Sequence, residues 1–100
     1  MQKILFVGGQ YADKVARCAG KLLERLWYPL SERVEGSVRF YELVLFKHPD
    51  SGEVRHFYVE SSLLPYAPEP CNFGSAEEFI IDHWDDDYNI KDIVISISIA

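Results

Sequence analysis

Residues 37–60, SVRFYELVLFKHPDSGEVRHFYVE, hold two runs rich in β-branched and aromatic side chains on either side of His48-Pro49-Asp50-Ser51-Gly52. Proline presets φ, Asp and Ser can bond the local backbone, and Gly accepts a positive φ, so the pentapeptide is turn chemistry. The spacing predicts a hairpin with strands over Val38–Lys47 and Val54–Glu60. Such a hairpin closes cheaply because it is local. It is only marginally stable alone, so the rest of the chain must cover it. On the first strand Val38, Phe40, Glu42, Val44 and Phe46 share one face, and Arg39, Tyr41, Leu43, Leu45 and Lys47 the other. Neither face is cleanly polar, which implies cover on both: helices on one, and on the other a second subunit.

One hundred residues make one domain, and an apolar share of 48% is enough for a packed core, which excludes a disordered chain. The apolar runs are short and broken by charge, well below the roughly 20 residues of a spanning helix. The opening Met1–Val7 is too brief for a secretory leader, so a cytoplasmic, non-membrane protein is expected. Cys18 and Cys71 lie far apart with no zinc-type spacing and are expected as reduced, mostly buried thiols.

Charge is unevenly placed. Residues 1–60 carry nine Lys/Arg against eight Asp/Glu, whereas residues 61–100 carry one Lys against eight acids, giving the net −6. The acidic part repels nucleic acid and the remainder has no basic excess to attract it, so the partner class favoured is a protein with a basic surface.

Lys3–Val7 is a continuous apolar run ended by Gly8-Gly9, which predicts a buried strand entering a turn. The two glycines do not make a phosphate loop, because Gln10-Tyr11-Ala12 comes next in place of G-x-G-x-x-G or G-K-[ST]. Gly8-Gly9-Gln10 also matches the tripeptide of peptide-release factors, without the basic surroundings that would go with it. Over Ala12–Trp27, Val15, Ala19, Leu22, Leu23 and Leu26 fall near helical spacing and predict a first helix, stopped by Pro29. Gly20 in its middle costs about 1 kcal/mol. The competing reading is a strand at Lys14–Cys18, a turn at Ala19-Gly20 and a second strand around Leu22–Tyr28. Residues 61–74 hold Pro65, Pro68 and Pro70 and predict an irregular connection pinned by Tyr66 and Phe73. Ser75 with Glu78 three residues on forms a capping-box pattern, so a second helix is expected from Ser75, with Ala76, Phe79, Ile80, His83 and Trp84 on its inner side. Asp85-Asp86-Asp87 then sits at the negative end of the helix dipole, a local rule broken. Ile93–Ile99 alternates Ile with Val or Ser, the cleanest period-2 signal present, and an open edge of that composition would invite aggregation.

The order β-α-β-β-α-β predicts an α+β, ferredoxin-like sandwich, a four-stranded antiparallel sheet with two helices on one face. If residues 12–27 are strands, the alternative is a β-rich α+β domain with only the C-terminal helix.

Three patterns bear on chemistry. His48, His56 and His83 have no H-x-x-x-H linkage, and Asp82-His83-Asp85-Asp86-Asp87 fails as a calcium loop because Ile90 and Ser96 stand where Gly and Glu are needed. No G-x-S-x-G surrounds Ser61, Ser62 or Ser75, and Glu77 and Glu78 are adjacent on a helix and diverge. Phe40, Tyr41, Phe57 and Tyr58 lack the basic, Gly-aromatic pattern of an RNA-binding sheet. No catalytic, cofactor or metal residues are therefore assigned. The partner-binding candidates are Asp82, Trp84, Asp85, Asp86, Asp87 and Tyr88, the acids meeting a basic surface and the aromatics anchoring it.

Ile4-Leu5-Phe6-Val7-Gly8-Gly9, Tyr41-Glu42-Leu43 and Phe57-Tyr58-Val59 together resemble a class of small phage and prophage proteins that open on a strand and a Gly-Gly turn and later carry a Tyr-rich hairpin. The resemblance spans the N-terminal two-thirds. It departs at Gln10-Tyr11-Ala12-Asp13, where many of that class have a Pro-Asp-Gly turn leading into a second strand. It implies a small cytoplasmic accessory protein that binds a host protein, such as a nucleic-acid-handling or defence component. A different class of function stays open beside it: a small ferredoxin-like oligomer, such as a homodimer, holding a small ligand or a catalytic site at a subunit interface near His56, Tyr58 and the Pro-rich loop. A purely structural assembly subunit is the third reading.

Overall fold

The structure is a computed structural model that describes residues 2–27, 39–64 and 73–99. In chain order the elements are β1 (Gln2–Val7), β2 (Val15–Gly20), β3 (Arg25–Trp27), β4 (Phe40–Lys47), β5 (Val54–Glu60), α1 (Phe73–Asp82) and β6 (Ile93–Ile99), with 3-10 turns at Ser61–Leu63 and Tyr88–Ile90. The strands form one sheet in the order β3-β4-β5-β1-β2-β6, strongly curled into a half-barrel. It is mixed: β1 pairs antiparallel with β2 and parallel with β5, and β2 pairs parallel with β6.

This corrects the ferredoxin-like expectation of four antiparallel strands and two helices. Among the described residues there are six strands and one α-helix. The difference originates at residues 12–27. Gly8, Gly9 and Asp13 all take positive φ (78°, 68° and 68°), which turns the chain back on itself before a helix could start. The turn is closed by Phe6 N–H to the Lys14 carbonyl at 2.9 Å and Asp13 N–H to the Phe6 carbonyl at 3.2 Å. Residues 15–18 then alternate as a strand: Val15 and Ala16 buried, Arg17 exposed, Cys18 buried. β1 explains why pairing outweighs helical spacing here. Ile4, Leu5, Phe6 and Val7 are all buried, two on each face, so β1 lies in the middle of the sheet and takes a strand on either side. Gly20 then takes φ 81°, which ends β2, and the apolar positions continue into β3.

Both faces carry a core. Under α1 lie Leu5, Val7, Phe57 and Val59 with Ala76, Ile80 and Trp84. On the opposite, concave side Phe6, Cys18, Leu26, Tyr41 and Tyr58 pack together. Phe6 meets Tyr41 edge-on at 4.8 Å and stacks on Tyr58 at 5.6 Å. Each such side chain contributes about 1.5–3 kcal/mol by leaving water. Tyr11 and Leu22, from the connections after β1 and β2, pack on this second face. Cys18 is a free, buried thiol whose pKa is pushed up by burial; Cys71 lies outside the described residues.

The hairpin turn works as its residues suggest. Gly52 takes φ 74°, and the His48 ring accepts from the Asp50 and Ser51 amides at 3.1 and 3.3 Å through Nδ1. α1 begins by Phe73, which packs on the core, so Ser75 is an exposed residue inside the helix and not its cap. The irregular connection expected over 61–74 falls mostly outside the described residues; its first turn is capped by the buried Glu60, which accepts the Ser62 amide at 3.0 Å. No helix among the described residues is long and apolar enough to cross a membrane.

Candidate functional site

The acidic segment sits where α1 runs out beside the β1–β2 turn. His83 N–H still bonds the Phe79 carbonyl at 3.1 Å and Trp84 N–H the Ile81 carbonyl at 3.3 Å, so the coil continues about a turn past Asp82. Glu78 and Asp82, four residues apart, lie along one side of the helix, and Asp85 follows in the turn just past its end. All three are exposed, as are Glu77 and Ile81, and none of the four acids makes an ion pair among the described residues.

The next carboxylate behaves differently. Asp86 Oδ2 lies 2.6 Å from His83 Nδ1 and 3.0 Å from Lys91 Nζ. Lys91 also bonds Asp13, whose Oδ1 is 3.6 Å from His83 Nδ1. Four residues from the β1–β2 turn, the end of α1 and the approach to β6 thus converge. Beside them a shallow cleft of about 280 Å³ is lined by Ala12, Asp13, Lys14, Ile90, Lys91 and Asp92. The hydrogen bonds from His83 and then Lys91 hold the Asp86 carboxyl below the usual carboxylate range. Burial alone would lower the Lys91 pKa, but its bonds to Asp13 and Asp86 outweigh this and raise it.

Asp13, His83 and Asp86 offer ligand atoms within 4.8 Å of one another, a donor set compatible with a divalent cation. Lys91 already sits on both carboxylates, so a metal would have to displace an ammonium that the site holds well. The arrangement is that of an ion-paired brace between the β1–β2 turn and the end of α1. Such a brace weakens in acid. Asp86 has a lower pKa folded than unfolded, so its contribution is present above the unfolded value and is lost as pH falls through the folded one. Asp86→Asn is expected to lower Tm at pH 7, and the gap to the parent should close below about pH 4. Thermal melts across pH check this; an Asn variant as stable as the parent at pH 7 would remove the brace.

The six partner-binding candidates therefore occupy unlike environments. Asp82 and Asp85 are exposed on the acidic stripe. Asp86 is in the brace, and Asp87 accepts the Asn89 amide at 2.9 Å, capping the 3-10 turn. Trp84 is 6% exposed in the core under α1. Its indole N–H donates to Glu53 Oε2 at 2.8 Å, and the Arg55 guanidinium lies 4.3 Å over its ring while donating to the Trp84 carbonyl at 2.7 Å. Tyr88 is half-buried against the same core, and burial raises its phenol pKa.

Four contributors were not among those candidates, and one of them, His83, stands three residues before Asp86, a helical spacing readable in the sequence. Glu78 could have been found from its i, i+4 relation to Asp82. Asp13 and Lys91 carry no local signal, because their contact spans most of the chain. The alternative site near His56 and Tyr58 is only partly described. Tyr58 is fully buried and donates to the Leu23 carbonyl at 2.9 Å, while the Pro-rich loop lies outside the described residues. At the Gly8-Gly9 turn the Tyr41 hydroxyl donates to the Gly8 carbonyl at 2.7 Å and accepts the Tyr11 amide at 3.2 Å, so the turn is held by a side chain.

Compared with models of known families, with curated proteins and with solved structures, the chain has no match.

Proposed function

We propose that this chain is a small, non-catalytic, cytoplasmic accessory protein of phage or prophage type that binds a host protein with a basic surface. The contact is made by the outer side of α1 and the turn after it, with Glu78, Asp82 and Asp85 as the charged contacts and exposed Ile81 between them. The observation that carries this reading is the state of the acids at the C-terminal end of the helix. Asp82 and Asp85 lie at the negative end of the dipole, where a carboxylate opposes the helix. Asp86 is compensated by His83 and Lys91, whereas Asp82 and Asp85 have no cation among the described residues. Acids placed where they work against folding fit a role outside folding. Glu78 and Asp82 are about 6 Å apart along the helix, with Asp85 in the turn beyond, a row that two or three lysines or arginines on a partner can match.

The triple variant Glu78→Gln/Asp82→Asn/Asp85→Asn separates this reading from a structural one. It is expected to fold with a Tm equal to or slightly above the parent. As bait in a host lysate it should lose a partner that the parent chain retains at low salt and releases at high salt. A partner held equally by both baits would overturn the proposal, as would a parent bait that retains none.

A further inference from the structure

The two edges of the sheet are built differently. β3 is three residues long and charged: Arg25 pairs with Glu42 at 3.1 Å and lies 4.3 Å over the Phe40 ring. β6 runs for seven residues, Ile93–Ile99, without a charge or a proline, and β2 is its one strand neighbour among the described residues. Backbone groups alternate in direction along a strand, so part of the N–H and C=O groups of β6 point away from β2. Edges are normally guarded by charge, proline, brevity or a bulge. β3 has two of these guards. β6 has one register shift, opposite Val15/Ala16, which leaves Ile95–Ile99 regular against Ala16–Gly20.

We propose that β6 pairs with β6 of a second copy of this chain, antiparallel about a two-fold axis normal to the sheet, joining two sheets into one. The sequence of the strand is complementary to itself under that operation. A two-fold axis normal to the sheet keeps each face on its own side, so directly opposed residues have the same parity. In β6 the odd positions are Ile and the even ones Val or Ser. Within the regular part of the strand such a register therefore sets Ile95 and Ile97 beside isoleucine on the side where Ile97 is already buried, and Ser96 and Ser98 beside serine on the other side, where both are exposed; the shift opposite Val15/Ala16 takes Ile93 and Val94 out of this alternation. No like charges are brought opposite one another within the strand. Pairing β6 with β3 instead would be head-to-tail and open-ended, and β3 has three residues to offer. One strand pair buries less than the roughly 1,600 Å² of a standard interface, so the dimer should dissociate on dilution. Each copy carries a net −6, so added salt should tighten the dimer, the opposite of its effect on the acidic stripe.

Sedimentation equilibrium of the full chain tests this. The parent is expected to move from the 11.5 kDa of one chain towards twice that mass as concentration rises. Ser96→Lys/Ser98→Lys places lysines on a solvated face, so the fold should persist while like charges oppose pairing; its mass should stay that of one chain. Ser96→Glu/Ser98→Glu should behave likewise alone, and an equal mixture of the two should recover the dimer. A parent chain that stays single at every concentration overturns the proposal. So does a Lys variant that dimerises like the parent, or a mixture that stays single, which would leave the edge to a strand from a different protein. Amide exchange on the parent needs no variant: amides within Ile95–Ile99 should slow with rising concentration, and unchanged rates would contradict the pairing.

Discussion

Gly9→Ala is expected to destabilise the fold by about 2–4 kcal/mol, combining the left-handed backbone cost of an L-residue with overpacking of a site that cannot relax. Gly9 has φ 68°, and a Cβ there would come within 2.5 Å of the Tyr41 hydroxyl and 3.0 Å of Glu60 Cγ. Tyr41 has nowhere to go. Its ring is fully buried against Phe6, and its hydroxyl is committed to the Gly8 carbonyl and the Tyr11 amide. The consequence extends beyond one turn, because residues 8–14 reverse the chain so that β2 can insert between β1 and β6. Urea denaturation checks the magnitude, and a double-mutant cycle checks the cause. In a Tyr41→Phe background the steric part should be relieved, leaving about 1–2 kcal/mol from the backbone. Equal losses in both backgrounds would mean the hydroxyl is not what the methyl meets.

Trp84→Ala should cost about 3–5 kcal/mol, the range for a large aromatic removed from a core. Domains of this size have about 5–15 kcal/mol in total, so the variant should be partly unfolded near physiological temperature. The indole fills the space between α1 and the hairpin, with ring centroids 5.9 Å from Phe57 and 4.8 Å from His48. Its removal also leaves Glu53 without the indole N–H and Arg55 without the ring it covers. Trp84→Phe keeps most of the packing and should lose only about 1 kcal/mol beyond the volume change, for the missing hydrogen bond. Circular dichroism melts distinguish the two. If Trp84→Ala melted like the parent yet lost partner binding, the residue would be a surface anchor and its placement in the core would be wrong.

Trp84 and Asp82 mark the limit of what was legible in the sequence. A tryptophan trailed by three aspartates resembles an aromatic anchor in an acidic patch. What separates its members is tertiary: Trp84 turns under the helix, Asp86 meets a lysine beyond the next turn, and Asp82 and Asp85 face outward. The helical spacing of Glu78 and Asp82 was open to inspection in the sequence, while the contact of Lys91 with Asp13 was not.

The fold divides along the same line. The period-2 runs around His48–Gly52 and at Ile93–Ile99 coincide with β4, β5 and β6, because those strands have one better-covered and one wetter face or a local partner. Residues 12–27 misled because Leu22, Leu23 and Leu26 fall at helical spacing, and nothing local reveals that β1 takes a strand on both sides. The two parallel pairings, β1 with β5 and β2 with β6, join segments far apart in sequence and leave no mark in any short window. With them the topology changed from four strands and two helices to six strands and one helix among the described residues.

The most direct test of the acidic stripe is the affinity for the captured host partner, measured over a series of salt concentrations for the parent chain and for Glu78→Gln/Asp82→Asn/Asp85→Asn. If exposed carboxylates make the contact, the parent's affinity falls steeply with salt, while the triple variant starts weaker and falls more gently, so that the two curves converge at high salt. Two parallel curves, or coincident ones, would mean that the stripe does not touch the partner, and the proposed mode of binding would be wrong.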